Sequence, residues 1–180
     1  EWIEATMALE LIDLSLALPG RTLVAGLNAR VEHGDVLTLM GERGSGKSSL
    51  LAYIAGSLQP PLSARGQVRL DGRELGMLPI EQRHVALLFQ DDLLFPHMSV
   101  LQNLLFALPR SPRAERITRA EDALAEAGLV HFGPRKPHTL SGGQRARVSL
   151  LRALLAAPRV VLLDEPFSRL DAALRAPMRA

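Results

Sequence analysis

The segment Gly41-Glu42-Arg43-Gly44-Ser45-Gly46-Lys47-Ser48-Ser49 satisfies the pattern G-x-x-x-x-G-K-[ST]. Glycines at this spacing let the backbone curl until successive N–H groups point inward. A helix starting beside Lys47 adds the positive end of its dipole. The chemistry this predicts is phosphate binding. The loop amides would cradle the β- and γ-phosphates, Lys47 would supply a compact point charge, and the Ser48 hydroxyl would ligate Mg²⁺. Lysine usage sharpens the reading. Of 21 basic residues only Lys47 and Lys136 are lysines, and one of them falls where a slim ammonium must enter the loop. A guanidinium fork has a different shape and would not substitute freely. The segment is expected to bind a nucleoside triphosphate with Mg²⁺.

A second constellation lies near the other end of the chain. The apolar run Val160–Leu163 stops at Asp164-Glu165-Pro166. Buried parallel strands present their C-terminal ends on the ligand side of a sheet, so both carboxylates should emerge beside the phosphate loop. Asp164 would hold Mg²⁺ through a water, and Glu165 would polarise the attacking water as a general base. With no acceptor-substrate site in evidence, the reaction implied is hydrolysis. An acidic turn after a core strand is the plainer reading of Asp164-Glu165 alone, and the phosphate loop weighs against it.

A third is Leu140-Ser141-Gly142-Gly143-Gln144, which opens a helix running to Pro158. Ser141 and Gln144 form an S-x-x-Q capping box, and Leu150, Leu151, Leu154 and Leu155 give an apolar stripe. Taken alone this is a capped core helix; beside the other motifs it reads as a second anion-facing helix start.

The elements that must position these groups follow from periodicity. Leu9, Leu11, Leu14, Leu16 and Leu18 nearly alternate in a first strand, and Leu27, Ala29 and Val31 in a second. The continuous apolar run Val36–Met40 is expected to be a strand buried on both faces, leading straight into the phosphate loop. Leu50, Leu51, Ile54 and Ala55 share one face of the helix after it. Asp71-Gly72 offers a hairpin turn. Residues 84–90 read as another buried strand, and 91–139 as mostly helical, with a helix over 112–127 leaving at Gly128. Strand–helix–strand order with buried runs means a parallel α/β core. The division expected is 1–90 as the core with an N-terminal β part, 91–139 as a helical part, and 140–180 as the helix opened by Leu140–Gln144 and the acidic strand.

Composition narrows the classes. At 180 residues, 47% hydrophobic and 22% charged, the chain can build a sizeable globular core. The absence of cysteine removes disulfides, thiolate metal sites and cysteine nucleophiles. No apolar run approaches a membrane span, and the first residues carry no secretory pattern; Met7 reads as the natural start. The net charge is only +2 and the arginines are interleaved with acids, so nucleic acid is not an expected partner. Arg110, Arg113, Arg116 and Arg119 read as a solvated helix face.

The order of these motifs resembles the nucleotide-binding domain of ATP-binding-cassette (ABC) proteins. Leu140–Gln144 matches that family's LSGGQ signature letter for letter. Gln90 resembles its Q-loop glutamine, Asp164-Glu165 its Walker B aspartate and catalytic glutamate, and Ser168–Asp171 its D-loop. The resemblance runs from about Met7 to the last residue. It implies a P-loop NTPase core with a mostly parallel sheet, an N-terminal antiparallel β subdomain and a helical insertion subdomain. It implies ATP and Mg²⁺ as cofactors and hydrolysis by a head-to-tail homodimer. In such a dimer Ser141, Gly142, Gly143 and Gln144 face the partner's nucleotide, with Asp171 at the same interface. Gln90 joins Lys47 and Glu165 in the catalytic set, and Ser48 and Asp164 in the metal set.

Residues 91–108 are similar to the matching stretch of bacterial importers, and residues 141–175 to short bacterial ATPase subunits of unassigned substrate. The partners implied are integral permease subunits, contacted through Gln90 and 91–108, and an extracytoplasmic solute-binding protein. The place implied is the cytoplasmic face of the bacterial inner membrane. A soluble ABC ATPase of translation or repair is the alternative; repair types need a long coiled coil, for which there is little room between Lys47 and Ser141. Three departures stand out. Glu42-Arg43 replaces the usual Pro-Ser, and Leu18 stands where an adenine-stacking aromatic is usual. All five histidines, His33, His84, His97, His131 and His138, precede Asp164, so the family's switch histidine is expected in a longer subunit of which this sequence is a part.

Overall fold

The computed structural model describes residues 8–89 and 93–164. The chain packs as two compact units that divide between Val85 and Ala86.

In the first unit, β1 (Ala8–Leu18), β2 (Arg21–Glu32), β3 (Ser63–Leu70) and β4 (Arg73–Glu74) form an antiparallel sheet in the order β2-β1-β3-β4. The leucines of β1 change parity between Leu11 and Leu14, which in a regular strand would turn half of them outward. The structure resolves this with a bulge. Register shifts fall between Leu11 and Leu14 toward β2 and between Ile12 and Ser15 toward β3, and Asp13 takes φ 47°. The extra residue returns Leu9, Leu11, Leu14 and Leu16 to one face, where all four are buried. Gly66 sits opposite at φ 98°. A Cβ there would lie 2.4 Å from the Asp13 carbonyl oxygen, so the bulge and this glycine require each other.

The Asp71-Gly72 turn has φ of 54° and 75°, the positive pair of a type I′ hairpin. The Asp71 carboxylate also accepts from the Ala8 amide at 3.1 Å, fastening the turn to the start of β1. Helix α1 (Lys47–Ala55) buries Leu50, Leu51, Ile54 and Ala55, as its periodicity predicts. It ends at Gly56 (φ 87°), with Gly56 N–H donating to the Tyr53 carbonyl and Ser57 N–H to that of Ala52, a Schellman stop.

The run 36–40 differs from expectation. It is not a strand, and Val36 and Met40 are 91% and 90% exposed. Apolar content favours burial, but a two-sided strand also needs hydrogen-bonded neighbours. Among the described residues no strand pairs with this run.

The second unit holds all but the first residue of β5 (Val85–Leu88), which forms a two-stranded sheet with β6 (Val160–Leu163), and Asp164 N–H donates to the Leu88 carbonyl at 3.0 Å. The two C-terminal ends therefore lie side by side, as in a parallel pair. Helices α2 (Val100–Ala107), α3 (Arg113–Glu126) and α4 (Gly142–Leu155) close on one core that includes Val100, Leu104, Ala120, Leu124, Leu129 and Val148. Helix α3 stops in a second Schellman motif, with Gly128 (φ 69°) donating to Ala125 and Leu129 to Leu124. The buried stripe of α4 is shifted from the one its leucines suggest. Val148 is its buried centre, with Leu151 and Leu155 packed beside it, while Leu154 is exposed. Residues 148, 151 and 155 follow the i, i+3, i+7 phase that faces α2 and α3, and Leu154 falls outside it. No described helix is long and apolar enough to cross a membrane.

Candidate phosphate sites and their supports

The phosphate loop is built around one ammonium. Lys47 Nζ donates to the carbonyl oxygens of Gly41 at 2.8 Å and Glu42 at 2.7 Å, with the Ser45 hydroxyl at 3.4 Å. The loop also tightens on itself through Ser45 N–H to the Glu42 carbonyl. Two glycines are steric requirements. Gly46 takes φ 95° as the residue before α1, and a Cβ on it would press within 3.0 Å of Leu23 in β2. A Cβ on Gly41 would meet the Ser45 hydroxyl at 2.9 Å. The result is a tight glycine-rich turn that leads directly into the start of α1. Gly41, Glu42, Arg43, Gly44 and Ser48 are exposed, with Ser45, Lys47 and Ser49 partly so. That arrangement fits a polyphosphate: space where side chains are missing, a cation on the rim, and an exposed hydroxyl of the hard-donor type that Mg²⁺ prefers. Glu42 enters through its main-chain carbonyl.

The support of α1 was not legible in the sequence. Arg83, 7% exposed, donates to four carbonyl oxygens: Tyr53 and Ile54 at the end of α1, and Gly76 and Leu78 in the loop before β5. A cation at a helix C-terminus complements the dipole. Burial pushes this guanidinium below the ordinary arginine value, opposed in part by Tyr53 and Glu74 nearby. Gly56 allows it, since a Cβ there would lie 2.6 Å from Arg83 Nε. The α1 helix thus presents its positive end at the phosphate loop and has its negative end covered.

In the second unit the Ser141 hydroxyl accepts from Gln144 N–H at 3.2 Å, and Gln144 Oε1 accepts from Ser141 N–H at 2.9 Å. The expected capping box is therefore present in full. Ser141 is exposed and Gly142, Gly143 and Gln144 are partly so, which leaves the helix start accessible. Arg145 turns back to the Leu140 carbonyl at 2.7 Å. Asp164 stands partly buried at the end of β6, beside the end of β5. Gln90, Glu165, Ser168 and Asp171 lie outside the described residues. Among those described, no group of three or more acidic or histidine side chains forms a metal cluster.

Asn103 was also missed. It is fully buried in α2, its side chain pairing with both backbone groups of Phe95 and with the Ser99 carbonyl. A signal did exist, because Asn103 occupies the apolar phase set by Val100 and Leu104. A polar residue there must find partners inside.

Comparisons with known proteins point to one family. The family profile described as ABC transporter matches residues 24–168. The chain is 49% identical over 164 residues to the uncharacterized ABC transporter ATP-binding protein YnjD of Escherichia coli K12, covering 91% of this chain and 76% of that one. It is 40% identical over 174 residues to the spermidine/putrescine import ATP-binding protein PotA of Vibrio cholerae, covering 96% of this chain and 45% of that one. The putrescine transport ATP-binding protein PotG of Escherichia coli K12 is 41% identical over 172 residues, with 94% and 45% covered. The chain thus spans about three quarters of the first relative and under half of the polyamine proteins. Among solved structures, the ATP-binding cassette MJ0796, a dimer in a post-hydrolysis state bound to ADP and Pi, superposes with a TM-score of 0.78 at 29% identity. That match covers 92% of this chain and 77% of the other.

Proposed function

The chain belongs to the ABC transporter family, and on that premise we propose that it is the ATP-binding and ATP-hydrolysing part of a bacterial importer, working as a head-to-tail homodimer. The observation that carries the reading is the pairing, in one chain, of a lysine-rimmed phosphate loop at Gly41–Ser48 with an exposed, fully capped helix start at Ser141. A single nucleotide needs only the first; two copies arranged head to tail give the second a phosphate to meet.

The roles follow from the chemistry of each group. The amides of residues 41–49 and the Lys47 ammonium bind the β- and γ-phosphates. Gly142 and Gly143 offer amides and Ser141 its hydroxyl to the γ-phosphate held by the partner, while Gln144 holds Ser141 in place through the cap. Glu165 accepts a proton from the attacking water, which Gln90 helps to orient. The Ser48 hydroxyl, Asp164 and Gln90 would hold Mg²⁺, which when bound neutralises charge developing on the phosphates. Asp171 contributes at the dimer interface. ATP binding then closes the dimer and hydrolysis reopens it. Residues 91–108 with Gln90 would take the motion to an integral permease at the cytoplasmic face of the inner membrane, with an extracytoplasmic solute-binding protein supplying the solute. A repair-type ATPase with a long coiled coil is disfavoured, since the longest described helix between Lys47 and Ser141 has 14 residues.

Glu165→Gln in the full-length subunit tests the reading. Turnover should fall by about 10²- to 10⁴-fold, the usual worth of a general base, while ATP-dependent dimers persist on size exclusion. Unchanged turnover would remove Glu165 from its role, and a subunit that stays monomeric with Mg-ATP would overturn the head-to-tail arrangement.

A further inference from the structure

The loop 93–99, which follows Gln90, is fastened on two sides to the segment that carries the signature. From α4, the Arg152 guanidinium lies 5.3 Å over the Phe95 ring and reaches Asn103 Oδ1 at 3.5 Å. From the approach to the signature, Lys136 Nζ donates to the His97 carbonyl at 2.7 Å. Asn103 completes the clamp from α2. Its amide group bonds the Phe95 N–H at 2.9 Å and the Phe95 and Ser99 carbonyls at 3.2 and 3.0 Å. Edge contact between Phe95 and Phe106 holds the ring that Arg152 covers.

Cations account for both fastenings on the signature side, and both reach a short loop rather than a carboxylate. Lys136 lies just ahead of Leu140–Gln144, and Arg152 lies on the helix that the motif opens. An α-helix moves as a rod, so a displacement at Ser141 is felt at Arg152. Side chains linked in one hydrogen-bond network couple to one another.

We infer that Arg152 and Lys136 are positioning residues that tie loop 93–99 to the signature segment, so that engagement of Ser141 with a partner's nucleotide alters the loop's own hydrogen bonding. The inference rests on the dimer proposed above.

Hydrogen exchange of the 93–99 peptide in the full-length Glu165→Gln subunit, with and without Mg-ATP, tests it. The parent should show an exchange change of about fivefold on dimer closure, the size set by one net hydrogen bond made or lost. Arg152→Met, which keeps packing and removes the cation, should still dimerise on size exclusion but lose that change. Arg152→Lys, which keeps a cation against Phe95 and Asn103, should retain it. If Arg152→Met fails a thermal-melt check of folding, Lys136→Met is the second arm, with the same loss expected. A parent that dimerises without any change in the loop, a Met variant that responds like the parent, or a Lys variant as silent as the Met variant overturns the inference alone. A parent that does not dimerise with Mg-ATP overturns the proposed function together with it.

Discussion

Lys47 Nζ stands 2.8 Å from the carbonyl oxygen of Gly41, six residues earlier in its own motif. The ammonium is therefore held at the rim of the loop by main-chain oxygens, with a further bond to Glu42. Replacing Lys47 by Met removes a charge-assisted contact to phosphate, of the order of 1.5–3 kcal/mol. The dissociation constant for Mg-ATP, by titration calorimetry, should rise by about 10- to 100-fold. The melting temperature should move little, because the bonds lost are to partly exposed carbonyls. Lys47→Arg should not restore binding, since the fork cannot occupy the same pocket of oxygens.

Ser141 separates two effects that one substitution usually confounds. Ser141→Ala removes the cap accepted from Gln144 N–H and should destabilise the fold by about 1 kcal/mol. Ser141→Arg additionally fills the accessible helix start. It should block ATP-driven dimers on size exclusion while leaving nucleotide binding by the monomer intact. Loss of binding in the monomer would show that the signature serves its own chain's site.

Gly66 and Gly72 both take positive φ, at 98° and 75°, but only Gly66 faces a backbone oxygen where a Cβ would stand. Alanine at Gly72 should cost about 1 kcal/mol, the strain of a left-handed alanine alone. Alanine at Gly66 should cost more than about 3 kcal/mol, because the bulge at Asp13 cannot retreat without turning the β1 leucines out of the core. Paired chemical-denaturation curves of the two variants give the comparison directly.

Arg83→Met takes the guanidinium away from four carbonyl oxygens, two of them at the end of α1, where that of Tyr53 keeps the Gly56 N–H. A loss of about 2–4 kcal/mol is expected, since buried polar groups then go unsatisfied. Weaker Mg-ATP binding should accompany it, because the same helix begins at the phosphate loop. A variant as stable as the parent would show that water replaces the guanidinium at no cost.

What the sequence revealed and what it concealed divide by range of interaction. The phosphate loop, the Ser141 capping box, the Asp71-Gly72 turn and the stop at Gly128 depend on residues within a few positions of each other, so each was readable locally. The bulge at Asp13 was half visible as a change of parity among leucines. Val36–Met40 was misread because strand formation is decided by neighbours, which apolar content does not name. Leu154 belongs to the apolar stripe of four leucines, but packing follows the phase centred on Val148 and leaves it exposed. Arg83 reaches Ile54 across 29 positions and Arg152 reaches Asn103 across 49, where no local pattern points, whereas Asn103 shows locally as a polar residue in an apolar phase. The assignments of Gln90, Glu165 and Asp171 rest on motif order and lie outside the described residues.

The scarcity of lysine has a chemical corollary. Both side-chain amines of this sequence are engaged by main-chain oxygens, Lys47 in the phosphate loop and Lys136 at His97. An acylating reagent therefore meets only two side-chain targets, and modification at either one erases a contact assigned a role here. Amine labelling followed by peptide mapping becomes a two-channel reporter, in which protection of Lys47 by Mg-ATP reads occupancy of the loop and reactivity of Lys136 reads the state of the clamp. With arginine supplying nearly all of the basic residues in this sequence, its two lysine ammonium groups are individually addressable.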